Sequence, residues 1–182
     1  MNDDAREATL LRDARLGDRT AFDGIVQMHG PQMFRFATRM LGSEHDARDA
    51  VQDAFVSAWK DLDSFQGRAK LSTWLLRLTH RRAVDLQRKR KPTPVEDEQL
   101  SLTLPPKGDD PLQRVLEDEL VRALQAALLL LPRQQRAVWL LREIEQLSYD
   151  DIAETLNLTT DSVRGLLHRS RSTLAERMAS WR

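Results

Sequence analysis

Apolar residues along this chain recur at three- and four-residue spacing, a period that predicts helices. Over 46–62, Ala50/Val51, Ala54/Phe55, Ala58/Trp59 and Leu62 form the stripe of an amphipathic helix. Over 72–91 the division is sharper. Leu75, Leu76, Thr79, Ala83 and Leu86 share one side, and Arg77, Arg81 and Arg88 the other, with Trp74 at their edge. A third run, 112–131, carries Leu116, Leu120, Leu124, Leu128 and Leu131 and ends at Pro132. Shorter helices are predicted at 133–141, 148–156 and 160–178. No strand-like alternation of useful length interrupts them.

The punctuation between these patterns sets the domain plan. Pro92, Pro94, Pro105, Pro106 and Pro111 fall close together, beside Glu96, Asp97, Glu98, Asp109 and Asp110. Proline lacks a backbone donor and fixes φ, so a helix does not run through such a stretch, which reads as an extended acidic linker. The predicted fold class is all-α, with two small helical domains at 21–91 and 112–182 joined by the linker at 92–111. Residues 1–20 are expected to form an N-terminal extension without a readable motif.

Composition narrows the function classes. Among 182 residues, 28 Lys and Arg balance 28 Asp and Glu, which argues against a protein that grips nucleic acid by bulk charge. The zero is a cancellation, however. Residues 1–91 hold 17 basic and 13 acidic side chains, 92–120 hold 2 and 8, and 121–182 hold 9 and 7. Two mildly basic domains thus flank an acidic strap, and neither is basic enough to be a strong DNA binder by itself. The chain has no cysteine, hence no disulfide framework, thiolate metal site or thiol nucleophile. No apolar run reaches the roughly 18 residues of a membrane span, and the start has no secretory pattern, so a cytoplasmic protein without membrane insertion is expected.

Three segments carry candidate chemistry. Residues 149–168 fit a helix-turn-helix, with Ile152, Leu156, Leu158, Val163 and Leu166 as apolar positions and Ala153 at the closest approach. Asn157 stands at the turn, where a residue tolerant of positive φ is needed, and Ser148 and Thr159 are N-caps for the two helices. The second helix then offers Thr160, Asp161, Ser162, Arg164, Gly165 and His168 to base edges, with Arg169 and Arg171 suited to phosphates. The arginine face beside Trp74 suits phosphate contact plus stacking on an unpaired base, or is simply a solvated basic side. Asp49, Gln52 and Asp53 share one polar face at i, i+3, i+4, which reads as a protein-binding acidic patch or a solvated surface. The four histidines are scattered without ligand spacing, and no phosphate-binding, dinucleotide or nucleophile-elbow motif occurs. No metal site, cofactor or catalytic residue is expected.

In order and spacing, these segments resemble the bacterial sigma factors of the extracytoplasmic-function type, the small two-domain initiation subunits of RNA polymerase. The resemblance rests on Ala21-Phe22, on 46–59 (DARDAVQDAFVSAW), on Phe65-Gln66-Gly67 and on 72–78 (STWLLRL). In the second half it rests on 131–136 (LPRQQR), 147–154 (LSYDDIAE), Val163-Arg164 and 167–171 (LHRSR). It implies that 21–91 is sigma region 2 and that 112–182 is region 4. The chain would then bind core RNA polymerase through Asp49, Gln52 and Asp53. It would melt the −10 promoter element and capture a flipped base with the loop 64–71 and the helix after it, where Phe65, Lys70, Ser72, Trp74, Arg77, Arg81 and Arg88 are the contacts implied. The helix-turn-helix would read the −35 element, and the linker would thread the polymerase near its active site and RNA exit path as an RNA mimic. An anti-sigma partner is a further implication.

Two departures bear on specificity. Arg81 stands where the family usually has Asn, and Gly165-Leu166 replace a common Ser-Arg pair. Two other readings compete: a stand-alone helix-turn-helix regulator, and a nuclease using Asp49 and Asp53 on a metal. The regulator leaves the Asp49/Gln52/Asp53 face and the Trp74–Arg81 helix without a purpose.

Overall fold

The structure, a computed structural model, describes residues 3–89 and 111–179, and every regular element among them is helical. Eight α-helices follow in order: α1 (Asp3–Arg15), α2 (Arg19–Leu41), α3 (Glu44–Lys60), α4 (Leu71–Lys89), α5 (Pro111–Leu129), α6 (Arg133–Trp139), α7 (Tyr149–Leu156) and α8 (Thr160–Arg177). They divide into two compact units, Met1–Thr38 with His45–Arg90, and Arg39–Glu44 with Lys91–Arg182. The expected linker lies outside the described residues apart from Pro111. That residue opens α5, at the one helical position where a missing N–H costs nothing.

The first unit packs around α3. Ala47, Ala50, Ala54 and Ala58 are each 0% exposed and repeat at i, i+3, i+7, i+11, a stripe of small side chains that lets neighbouring helices approach closely. Ile25, Met33, Phe36 and Ala37 of α2 and Leu71, Leu75, Leu76 and Leu78 of α4 complete the core. The predicted helix at 46–62 begins earlier, at Glu44, and stops at Lys60; a single 3₁₀ turn, Leu62–Ser64, then buries Leu62. The N-terminal extension carries α1, which had no sequence motif. Its Ala14 is buried, and Leu10 and Leu11 pack on the core.

α2 starts at a well-made cap, where one Asp18 oxygen accepts from Thr20 N (2.8 Å), Thr20 Oγ1 (2.7 Å) and Ala21 N (3.3 Å). These bonds hold the Asp18 carboxyl below its usual range.

In the second unit, the end of α5 is closed by one side chain. The buried Arg136 guanidinium donates to Leu128 O at 2.8 Å, to Leu131 O at 3.2 Å and to Leu129 O, supplying carbonyls that the end of a helix leaves without partners. Burial, helped by Arg133, pulls its pKa down to about 10, still far above neutral pH. Of the leucines expected to line this stretch, Leu128 and Leu131 are buried and Leu120 is 41% exposed, while the side chain of Leu116 lies outside the described residues. The predicted helix 133–141 is α6 followed by a π turn, Leu140–Ile144, and Gln146 then takes a left-handed φ of 56°.

His80 is largely enclosed within the first unit, and burial, reinforced by Arg81, pushes its pKa down to about 4. A histidine whose folded pKa lies below its unfolded value of about 6.5 contributes stability that is complete above pH ~6.5 and is lost as pH falls toward 4. His29, lowered mainly by burial, acts in the same direction. With Trp139 and Trp181 changed to Phe so that Trp59 and Trp74 report, urea unfolding should show the first unit losing on the order of 2 kcal/mol between pH 7 and 4.5. His80→Leu should remove much of that slope, and an unaltered slope would contradict the assignment.

Candidate nucleic-acid and polymerase interfaces

The helix-turn-helix is built as its sequence requires. Ser148 Oγ accepts from Asp151 N at 3.0 Å and contacts the Asp151 carboxylate at 2.6 Å, a reciprocal cap on α7. Asn157 ends α7 at φ 54°, ψ 53°, and Leu158 N returns to Ala153 O at 2.8 Å. Thr159 Oγ1 then accepts from Ser162 N at 3.2 Å and starts α8. Ile152 and Val163 are fully buried between the helices. The expected Leu166 is only half-buried; Leu167, 2% exposed, fills the core instead, since it lies about 40° from Val163 around the helix whereas Leu166 lies about 60° away on the other side.

The face of α8 away from that core carries the residues expected to meet DNA. Asp161, Ser162, Arg164, His168, Arg169 and Arg171 are exposed, and Thr160 and Gly165 are half-buried. Several are held in place. Arg164 Nη1 pairs with Asp161 Oδ1 at 2.6 Å, and its guanidinium lies 5.7 Å from the Tyr149 ring centre. Arg142 covers the same ring at 5.0 Å while donating to Leu147 O at 2.7 Å. Arg171 donates twice to Glu143 Oε1, at 2.9 and 2.6 Å. A Cβ at Gly165 would sit 3.4 Å from Arg169 Nη1, so the arginine head lies along the glycine backbone. Sequence reasoning missed Arg142 and Glu143, because the π turn that presents them has no sequence signature.

In the first unit, Asp49, Gln52 and Asp53 are exposed together on α3. Beside them runs an apolar groove of about 580 Å³ between α2 and α3. Phe22, Val26 and Phe34 line one side, and Val51, Phe55 and Trp59 the other. Phe22 meets Trp59 edge-on at 5.0 Å and Phe55 at 6.2 Å. Gln52 belongs both to the polar row and to the groove lip. Val51 and Trp59, expected in the core stripe, are half-buried along this groove.

The −10 candidates divide three ways. At about 100° per residue, Trp74, Arg77, Arg81 and Arg88 fall within about 60° of one another along α4. Lys70, exposed just before the helix, extends the row. Ser72 lies roughly 200° around the helix from Trp74 and does not join it. Phe65 is 7% exposed and belongs to the core cluster; its ring packs against Trp74 at 5.3 Å. It therefore supports the row from beneath.

The chain matches the family model for Sigma-70 region 2 over residues 25–93 and that for Sigma-70, region 4 over 121–174. The ECF RNA polymerase sigma factor SigW of Bacillus subtilis (strain 168) is 32% identical, the match covering 92% of this chain and 94% of SigW. SigM of Mycobacterium tuberculosis (strain H37Rv) is 34% identical over 93% and 83% of the two chains. Among solved structures, CnrH in complex with the cytosolic domain of CnrY superposes with a TM-score of 0.70 at 27% identity, covering 96% of this chain and 98% of CnrH. The Bartonella quintana sigma factor RpoE, at 24% identity and TM-score 0.70 over 88% of this chain and 98% of its own, shares the fold. This chain belongs to the extracytoplasmic-function sigma factors, regulatory DNA-binding subunits of transcription initiation.

Replacing Asn157 by Ala puts into the left-handed region a residue without the short polar side chain that eases that conformation and should cost about 1 kcal/mol, whereas Asn157→Gly should be neutral or slightly stabilising. Thermal unfolding of the second unit, followed by Trp139, checks the order; Ala melting at or above Gly would contradict it.

Proposed function

We propose that this chain is a promoter-specificity subunit that binds core RNA polymerase, recognises −35 and −10 elements and promotes DNA melting for transcription initiation. The observation that supports this reading is that two separate units each present a surface of different chemistry suited to nucleic acid. One is an aromatic and arginine row on α4, suited to unpaired bases and their phosphates. The other is a capped recognition helix suited to the major groove. A stand-alone regulator uses only the second.

Core binding is assigned to Asp49, Gln52 and Asp53 together with the apolar groove they border. Apolar burial supplies the affinity there, and the polar row fixes orientation and excludes wrong partners. In the −10 surface, Trp74 offers the stacking face, Lys70, Arg77, Arg81 and Arg88 neutralise the strand, Phe65 backs the indole, and Ser72 stands in the first turn of α4. On α8, Arg164 is assigned to a base edge, with Thr160, Asp161, Ser162, Gly165 and His168 around it, and Arg169 and Arg171 to phosphates. Arg164 and Arg171 must exchange their carboxylate partners for DNA. Exposed pairs of this kind cost on the order of 1 kcal/mol or less to open, so the exchange is cheap.

CnrH is solved in complex with the cytosolic domain of CnrY, and a protein partner, an anti-sigma factor, is proposed for this chain too. Such work places the chain with polymerase and DNA in the cytoplasm. Among the described residues no helix is long and apolar enough to cross a membrane, and no three His, Asp or Glu side chains converge as metal ligands.

Run-off transcription with purified core polymerase should start at specific promoters only when the chain is added. Asp49→Lys with Asp53→Lys should abolish both this activity and co-purification with core while leaving the helical content intact. Equal initiation by core alone, or undiminished co-purification of the double variant, would overturn the reading or the docking assignment respectively.

Arg164→Ala should weaken binding to the −35 element by about 1–3 kcal/mol, measured as the affinity of the reconstituted holoenzyme for promoter DNA. An equal loss on unrelated DNA would reassign Arg164 to a phosphate.

A further inference from the structure

We propose that Arg15, at the end of α1, is a positioning residue for the −10 surface: it fixes the loop 61–70, and through Phe65 the orientation of Trp74. The inference rests on the reading of that surface given above. Arg15 Nη2 donates to the Phe65 carbonyl, fifty positions along the chain, and its guanidinium lies 5.9 Å from the centre of the Phe65 ring. One side chain thus holds both the backbone and the ring of the same residue. Phe65 passes the constraint on, since its ring meets Trp74 at 5.3 Å with an interplanar angle of 41°. The loop has freedom that needs limiting: beyond the 3₁₀ turn, Gly67 takes a φ of 69°, and no neighbouring atom lies within 4 Å of where its Cβ would stand.

α1 is anchored firmly enough to act as the fixed point. Leu10 reaches so close to α2 that a Cβ at Gly24 would lie 2.8 Å from its Cδ2. Earlier in the helix, Glu7 Oε2 lies 2.9 Å from His29 Nε2 on α2. At its end, Gly17 N bonds to Ala14 O at 3.0 Å and Asp18 N to Asp13 O at 3.1 Å, with Gly17 at a φ of 93°. Arg15 sits inside this closed turn, so its backbone is fixed while its side chain reaches outward to the loop. Substituting it leaves the Leu10, Leu11 and Ala14 packing untouched.

Base capture requires a stacking face already in place when a base leaves the duplex, because unstacking costs a few kcal/mol that only immediate contacts offset. A loop that wanders pays an added ordering cost at that moment. Arg15 removes that cost in advance, and the loss of Arg15 should be felt where the duplex has still to be opened.

The test uses holoenzyme reconstituted from core polymerase and the full chain, on a promoter that supports run-off with the wild type. The promoter is prepared once as duplex and once with mismatches that pre-open the −10 segment, and strand opening is read by permanganate reactivity. Arg15→Met, which keeps the aliphatic stem but has no donor or charge, should open the duplex about tenfold less and the pre-opened template within twofold of wild type. Arg15→Lys should recover most of the loss, and neither change should alter the melting temperature or co-purification with core. Wild-type opening of the duplex by Arg15→Met would overturn the inference, as would an equal loss on both templates or failure of Lys to rescue. A wild-type chain that opens neither template removes the −10 reading, and the inference with it.

Discussion

The first unit depends on the alanine stripe of α3. Four side chains with no exposed surface let that helix serve as the centre of the packing, with its large apolar residues displaced to the flanks. Val51 and Trp59 then stand half-buried along one wall of a groove, beside the buried Phe55, and Asp49, Gln52 and Asp53 are left on the outer side. A leucine at Ala50 or Ala54 would have to displace a neighbouring helix, since packed interiors have no room for added methylenes. The groove, the polar row and the face of α4 are therefore consequences of one choice of small residues.

In the second unit the comparable constraint is the end of α5. Several carbonyls close together need donors, and Arg136 meets them with one planar guanidinium whose geometry a lysine does not reproduce. With α6 tied to α5 in this way, the chain enters the π turn from a fixed position. The turn sets Arg142 against Tyr149 of α7 and Glu143 against Arg171 of α8, so each helix of the motif is held by a residue outside it.

What could be read from the chain follows from which interactions are local. Caps and turns are decided within a few residues, so Ser148, Asn157 and Thr159 take the roles their chemistry suggests. Helical period reveals a face but not what covers it: Val51 and Trp59 share a stripe with Ala50 and Ala58, yet only the alanines are enclosed. The shift from Leu166 to Leu167 has the same origin, because two adjacent leucines both satisfy an apolar template and tertiary packing chooses between them. The resemblance implies Phe65 as a −10 contact, and nothing local in the sequence signals that its ring is buried against Trp74. The one available hint for α1 was the spacing of Leu10, Leu11 and Ala14, a stripe too short to separate from chance without its partner helix.

The charge distribution takes on a further meaning once the pairs are known. Residues 1–91 and 121–182 are each only mildly basic, and two of the cations facing outward from α8 are already matched, Arg164 with Asp161 and Arg171 with Glu143. Each pair is exposed, so it contributes little to stability and opens readily beside a phosphate or a base edge. It nevertheless lowers the attraction for DNA at long range, because a matched cation presents a dipole rather than a charge. With α8 meeting DNA as proposed, such a surface would hold DNA weakly at a distance and recognise it at contact. A subunit delivered to promoters by a larger enzyme gains from that arrangement, since tight binding to random DNA would compete with its assembly onto the polymerase.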